Sequence, residues 1–160
     1  MEPKQLALKL FLDELDVPSN IATVDDRKRV QKAVYLGQRA GADLGYRFGW
    51  YIMGPYSPGL TRDYYGLAEA ILSGDSPPQG RVLHPKLRER LQKVKPLLDA
   101  PNGFASSQED WLELVASLDY LRRVRRLGST QARRALAEAK PHLSKWADLA
   151  DQQLKSAGLD

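Results

Sequence analysis

The stretch that most constrains the fold is residues 30–67, where a helical pattern gives way to a short extended one. Side chains alternate over residues 46–53, with aromatic residues at positions 46, 48 and 50, and this period of two predicts a half-buried β-strand. Gly54 and Pro55 then predict the end of that strand, because proline lacks the N–H group that a ladder needs. Ser57 and Pro58 are typical of the start of a helix.

A single strand cannot satisfy its own backbone, so the strand at 46–53 requires a partner. Residues 81–84, with the sequence RVLH, are one candidate for that partner. The same strand in a second copy of the chain is the rival candidate, which keeps a homo-oligomer open. Either choice predicts a β-hairpin or a short antiparallel sheet.

Hydrophobic spacing elsewhere in the chain predicts helices. A mainly α fold with six or seven helices is therefore expected, and two or three helices before a hairpin suggest a winged-helix-like arrangement. The length predicts a single domain over residues 1–160, or two lobes separated by the loop at 73–80. The predicted helices span about residues 4–15, 26–40, 58–72, 85–99, 107–126 and 129–139, with a last one after Ser144.

Three short motifs in this part of the chain carry a resemblance: KAVYL at 32–36, GYRF at 45–48 and GPYS at 54–57, with Tyr51, Leu60 and Asp63 between and after them. Together they resemble the YwgA-like family of bacteria and archaea and, more distantly, the Panacea antitoxin domain. The resemblance covers about residues 25–70. It implies a regulator or antitoxin associated with defence and toxin genes, and it agrees with a winged-helix-like fold.

Composition excludes several classes of function. The chain has no cysteine, which excludes disulfides, thiol catalysis and cysteine-ligated metals. No run of apolar residues approaches a membrane span, and the N-terminal residues do not resemble a signal peptide. A cytoplasmic protein with no membrane partner is therefore expected.

Positive charge is concentrated in one segment, since residues 81–140 hold thirteen basic and seven acidic side chains. An arginine cluster within this segment predicts contact with the phosphates of a nucleic acid. The alternative is a solvated helix end, where the helix dipole favours arginine and Asp119 pairs with Arg122 and Arg123. The candidate nucleic-acid-binding residues are Arg122, Arg123, Arg125, Arg126, Arg133 and Arg134.

The aromatic residues separate into a core set and a surface set. Tyr46, Phe48, Trp50, Leu60, Tyr64 and Leu67 are expected to pack as one cluster, with Ile52 on the same side of the strand. A second set, mixed with arginine, predicts a protein-interaction surface or a platform for stacked nucleotides. Its members are Arg47, Tyr51, Tyr56, Arg62 and Tyr65.

Catalytic motifs are absent from the sequence. His84 and His142 are the only histidines, and neither stands in a spacing typical of a metal site. We therefore expect a non-enzymatic protein without metal or cofactor. The first hypothesis is a regulatory or accessory protein that binds nucleic acid without strong sequence readout. The alternative is an antitoxin-like protein-interaction module, or an accessory subunit of a bacterial defence system, whose partner is a protein such as a toxin or a nuclease.

Overall fold

A computed structural model describes residues 1–159, and it confirms a mainly helical fold with one small antiparallel sheet. The described residues contain eight α-helices, because Pro141 starts a short helix where the sequence predicts only a stop. The helices are α1 (Pro3–Glu14), α2 (Val24–Arg39), α3 (Pro58–Leu72), α4 (Pro85–Val94), α5 (Gln108–Asp119), α6 (Ser129–Ala139), α7 (Pro141–Ser144) and α8 (Ala147–Ser156).

The two strands form a hairpin between α2 and α3, and this corrects two predictions. β1 (Gly49–Tyr51) pairs antiparallel with β2 (Gly54–Tyr56), so the Gly-Pro pair belongs to the partner strand instead of ending the sheet. Proline is tolerated because each strand of a two-stranded sheet is an edge strand. Residues 81–84 form no strand. The hairpin follows two helices, and its likeness to a winged helix stays a prediction.

The centre of the molecule is the pair α2 and α5, which pack against each other and against β2. Trp111 of α5 is fully buried, and its indole N–H donates a hydrogen bond of 2.8 Å to the Leu97 carbonyl oxygen. Buried side chains form one hydrophobic cluster. Leu67, before the loop at 73–80, and Leu91, after it, both belong to that cluster.

The predicted aromatic cluster is confirmed in part. Leu60, Tyr64 and Leu67 are buried in the core, as the spacing along α3 predicted. Tyr46, Phe48 and Trp50 are half-buried and pack against that core. Ile52 does not join them, since it occupies the hairpin turn and is 93% exposed.

The helix predicted to continue to residue 126 is α-helical only to Asp119. After α5 the chain makes one π-helical turn over Tyr120–Val124. The left-handed residue that follows is Arg126, with φ of +56°, and not Gly128, whose φ is −65°. Gly128 instead forms the N-cap of α6. Arg122 and Arg123 therefore lie on the π turn, Arg125 and Arg126 follow it in the bend, and Arg133 and Arg134 lie on α6.

Candidate functional site

Two buried lysines hold the hairpin turn from either side. Lys32 of α2 is 1% exposed, and its Nζ donates a hydrogen bond of 2.7 Å to the carbonyl oxygen of Pro55. Lys140, directly after α6, is 2% exposed, and its Nζ donates one of 2.6 Å to the carbonyl oxygen of Ile52. The turn is therefore fixed by two parts of the chain that are far apart in sequence.

Glu113 of α5 supplies the counter-charge beneath the hairpin. Its two carboxylate oxygens lie 2.6 Å from Lys28 Nζ and 2.9 Å from Lys140 Nζ. Burial by itself raises the pKa of this carboxyl, but the hydrogen bonds from the two lysines outweigh burial and lower it. Burial also lowers the pKa of Lys32 to about 7, opposed by the nearby charge of Glu113 and reinforced by Lys140 and Lys28.

Gly54 brings the hairpin into close contact with α5. Its φ of +88° is the left-handed conformation that glycine adopts readily. A Cβ atom at this position would lie 2.4 Å from Ser117 Oγ, so a larger residue does not fit without movement. Ser117 is fully buried, and its hydroxyl has no hydrogen-bond partner among residues 1–159. The packing here depends on the absence of a side chain at position 54.

This buried polar network was not predicted from the sequence. Lys28 and Lys32 are four residues apart, as are Glu109 and Glu113, so each pair shares one face of its helix. That complementary spacing was the available signal. It is weak on its own, because lysine and glutamate are almost never fully buried and such stripes usually face solvent.

The exposed surface beside the hairpin turn is strongly apolar. Two adjoining cavities of about 210 Å³ and 720 Å³ share Arg27 and Tyr65 in their linings. The first reaches Met53 of the turn, and the second reaches Leu72 at the end of α3. We call this surface the apolar groove. The exposed apolar side chains that line it are Val24, Met53, Tyr65, Ile71 and Leu72.

The structure divides the predicted aromatic–basic set between two places. Tyr56 and Tyr65 line the apolar groove, and the Tyr51 ring meets Tyr56 edge-on with ring centroids 5.0 Å apart. Arg47 and Arg62 line a different hollow together. The aromatic members therefore belong with the hairpin turn, while the two arginines lie on another part of the surface.

Two of the six arginines in the cluster form ion pairs within the protein. Arg122 pairs with Asp151 at 2.5 Å, and Arg133 pairs with Asp148. Arg123 is half-buried, and its Nε is sealed from solvent without a hydrogen-bond partner among residues 1–159. The remaining three are exposed, and none forms an ion pair within residues 1–159. These are Arg125, Arg126 and Arg134.

The pairing that was expected for Asp119 is wrong. Asp119 is buried and accepts hydrogen bonds from Tyr35 Oη at 2.6 Å and Arg39 Nε at 2.8 Å, both on α2. It makes no ion pair with Arg122 or Arg123, because its side chain points into the interface between α2 and α5. The carboxylates that do neutralise the arginine cluster come from α8.

No family model matches the chain, and no curated protein or solved structure shows detectable similarity to it. Across residues 1–159, no helix is long and apolar enough to cross a membrane. The same residues contain no group of three histidine, aspartate or glutamate side chains placed to hold a metal ion. His84 is the N-cap of α4, where its Nδ1 accepts a hydrogen bond of 3.1 Å from the Lys86 amide.

Proposed function

We propose that this chain is a protein-interaction module whose apolar groove holds an apolar segment of a partner protein that carries an acidic side chain. The observation behind this is the distribution of exposed apolar side chains. Of the nine large ones among residues 1–159, five line the groove, with Leu72 87% exposed, and Tyr51 and Ile52 directly precede Met53 in the hairpin. Contiguous exposed apolar surface of this kind is typical of interaction sites.

Charge along the groove favours an acidic partner. Three basic side chains contribute to the lining, but Lys28 is paired with Glu113 and Lys32 is buried, so the charge available to a partner is that of Arg27. The Arg27 guanidinium donates hydrogen bonds to the carbonyl oxygens of Ile21 and Ala22, at 2.9 Å and 3.4 Å. It forms no ion pair within the described residues 1–159. A carboxylate on the partner would supply that counter-charge in a charge-assisted hydrogen bond.

The groove is also preorganised for binding. The hairpin turn carries Ile52 and Met53, and the buried lysines fix its backbone through the carbonyl oxygens of Ile52 and Pro55. A surface that is ordered before binding loses less conformational entropy when the partner arrives. This supports a binding role for the exposed side chains at the turn.

The resemblance to the YwgA-like and Panacea families points to the same class of function. It favours an antitoxin-like module or an accessory subunit of a defence system, with a toxin or a nuclease as partner. A non-enzymatic role in the cytoplasm is part of this proposal.

Selection from a random peptide library displayed on phage tests the proposal directly. Wild-type protein should enrich apolar peptides that contain aspartate or glutamate. Leu72→Asp should abolish the enrichment, because it places a charge at the most exposed apolar position of the groove lining. Val82→Asp is the matched control, since Val82 is exposed but does not line the groove.

A charge reversal at Arg27 sharpens this test. Arg27→Glu should shift the selected peptides from acidic to basic residues while the apolar positions stay the same. Circular dichroism melts of each variant check that the fold is intact. Failure of the wild type to enrich any peptide family, or an unchanged charge preference in the Arg27 variant, would contradict the proposed binding mode.

A second candidate function is nucleic-acid binding without sequence readout. It is favoured by the three exposed arginines that form no ion pair within residues 1–159: Arg125, Arg126 and Arg134. Phosphate contacts of this kind weaken steeply with salt, because each one releases counterions. A mobility shift with duplex and single-stranded DNA at low salt tests this function.

Charge reversal separates this candidate from non-specific binding. The double variant Arg125→Glu, Arg134→Glu should remove the shift, whereas Arg81→Glu, an exposed arginine outside the cluster, should retain it. Arg133 is unsuitable for reversal because it pairs with Asp148 and lies 4.0 Å from Asp151. No shift at micromolar wild-type protein would remove the nucleic-acid function and leave the protein-interaction module.

A further inference from the structure

A second hollow lies on a surface that the apolar groove does not use. It has a volume of about 460 Å³ and is formed by α2, the segment that leads into the hairpin, and the π turn after α5. None of its lining residues lines the apolar groove. Its aromatic lining consists of Tyr35, Tyr46, Phe48 and Tyr120.

The aromatic rings of this hollow are held in place from behind. Tyr35 donates a hydrogen bond of 2.6 Å to Asp119, and Tyr46 donates one of 2.7 Å to Asp63. Phe48 meets the Tyr35 ring edge-on, with centroids 5.3 Å apart. Trp50 stacks on the Tyr120 ring with centroids 5.6 Å apart. Tyr35 and Tyr120 are only 3% and 6% exposed, so the π surface open to the hollow belongs to the half-buried Tyr46 and Phe48.

Three guanidinium groups surround these rings. Arg39 and Arg47 line the hollow, and Arg125 lies over the Tyr120 ring at 6.0 Å from its centroid. Arg39 Nε donates a hydrogen bond of 2.8 Å to Asp119, but the Arg39 side chain is still 31% exposed. The opposing carboxylate in the lining is Asp43, which accepts a hydrogen bond of 2.7 Å from the Gly45 amide. Positive charge predominates around the opening.

We propose that this hollow binds a nucleotide, with the base against Tyr46 and Phe48 and the phosphate at Arg47 and Arg125. Aromatic side chains stack on bases of any sequence, and guanidinium groups bind phosphate through paired hydrogen bonds. The volume falls in the range of small-molecule sites. The same chemistry serves a free mononucleotide and one nucleotide of a single strand, so both sources are included in the test.

The test is titration of the full chain with AMP, with a decathymidylate strand, and with adenosine and ribose 5-phosphate as half-ligands. Calorimetry measures affinity, and the fluorescence of Trp50, which stacks on Tyr120, supplies an independent signal. AMP or the strand should bind more tightly than either half-ligand. Arg47→Ala should weaken binding about tenfold, the loss expected for one charge-assisted contact.

A pair of exposed valines supplies a matched control. Val124 lines the hollow and Val82 does not, so Val124→Glu should abolish nucleotide binding while Val82→Glu should leave it unchanged.

Binding of the strand without AMP assigns the hollow to single-stranded nucleic acid, and binding of AMP assigns it to the free nucleotide. No binding of either at millimolar ligand, or binding that both Arg47→Ala and Val124→Glu leave unchanged, overturns the proposal.

These outcomes are independent of the two proposed functions. The peptide selection depends on Leu72 and Arg27, neither of which lines the hollow. Arg125 takes part in both the mobility shift and the nucleotide proposal, but Arg134 belongs only to the first, and Arg47 and Val124 only to the second. Single substitutions at these three residues therefore show which proposal fails.

Discussion

The apolar groove and the arginine cluster are both exposed, yet the charged side chains that belong to each region lie at different depths. Beneath the hairpin turn that borders the groove, buried charges are paired with one another, and apolar side chains face outward. In the arginine cluster, the charges lie near the surface, and α8 supplies carboxylates to Arg122 and Arg133. Charge in the first region fixes the backbone, while charge in the second is partly neutralised at the surface.

This difference shows that a count of charges in the sequence does not locate a binding surface. The arginine-rich segment carries the largest excess of positive charge, but only three of its six candidate arginines are exposed. Two of the others form ion pairs, and the third has its Nε sealed from solvent. Surface ion pairs contribute little to stability, whereas removing one member of a buried pair is costly. The two regions should therefore respond very differently to substitution.

The largest expected effect is the loss of Lys140. Lys140→Ala removes a buried ion pair with Glu113 and leaves the Ile52 carbonyl oxygen without its donor. The free energy of unfolding should fall by about 3–5 kcal/mol, measured by urea denaturation. The control is Lys155→Ala, whose exposed ion pair with Asp151 should cost no more than about 0.5 kcal/mol. Equal effects in the two variants would mean that the hairpin does not depend on Lys140.

A smaller loss is expected when a side chain is added beneath the hairpin. Gly54→Ala combines an unfavourable positive φ with a contact to Ser117 Oγ, and should cost about 2–4 kcal/mol. Gly74→Ala is the matched control, because Gly74 has φ of +85° with nothing within 4 Å of an added Cβ atom. It should cost only about 1–2 kcal/mol. Equal melting temperatures for the two variants would refute close packing at Gly54.

The smallest effect, when it is taken over one pH unit, concerns the pH dependence of stability. Lys32 has a folded pKa of about 7, below its unfolded value, so the unfolded chain binds more protons between about pH 7 and pH 10. Stability from this group should therefore rise with pH in that window, by at most about 1.4 kcal/mol per unit. The stability difference between wild type and Lys32→Met should show this slope, measured by denaturation at several pH values. A flat difference for Lys32 would mean that its amine stays charged.

Most helices could be predicted from the sequence because their boundaries carry local signals. Ser57 and Ser107 are N-caps in the structure, as their side chains and the residues after them indicated. The hairpin partner could not be predicted in the same way. A three-residue strand that contains proline has no pattern of its own, and its pairing depends on the positive φ at Gly54 and on contacts with α5.

The candidate sites were harder to predict because they depend on which side chains meet in space. Tyr51, Tyr56 and Tyr65 were recognised as surface aromatics, but Arg27, Ile71 and Leu72 join them only through the packing of α2 against α3 and the loop before α2. The two buried lysines contradict the usual exposure of that residue type. Their burial is offset by backbone carbonyl oxygens and Glu113, which no local pattern identifies.

The contact between Lys140 and Ile52 also determines when the hairpin can reach its final form. The two residues are 88 positions apart, so the turn cannot be secured until α6 has been synthesised and folded against α5. Contacts of such high sequence separation form late and slow the folding of small domains. During synthesis the apolar turn therefore lacks the hydrogen bond from Lys140 while the last third of the chain is still being made. That interval is when the nascent protein is most exposed to aggregation or to capture by chaperones.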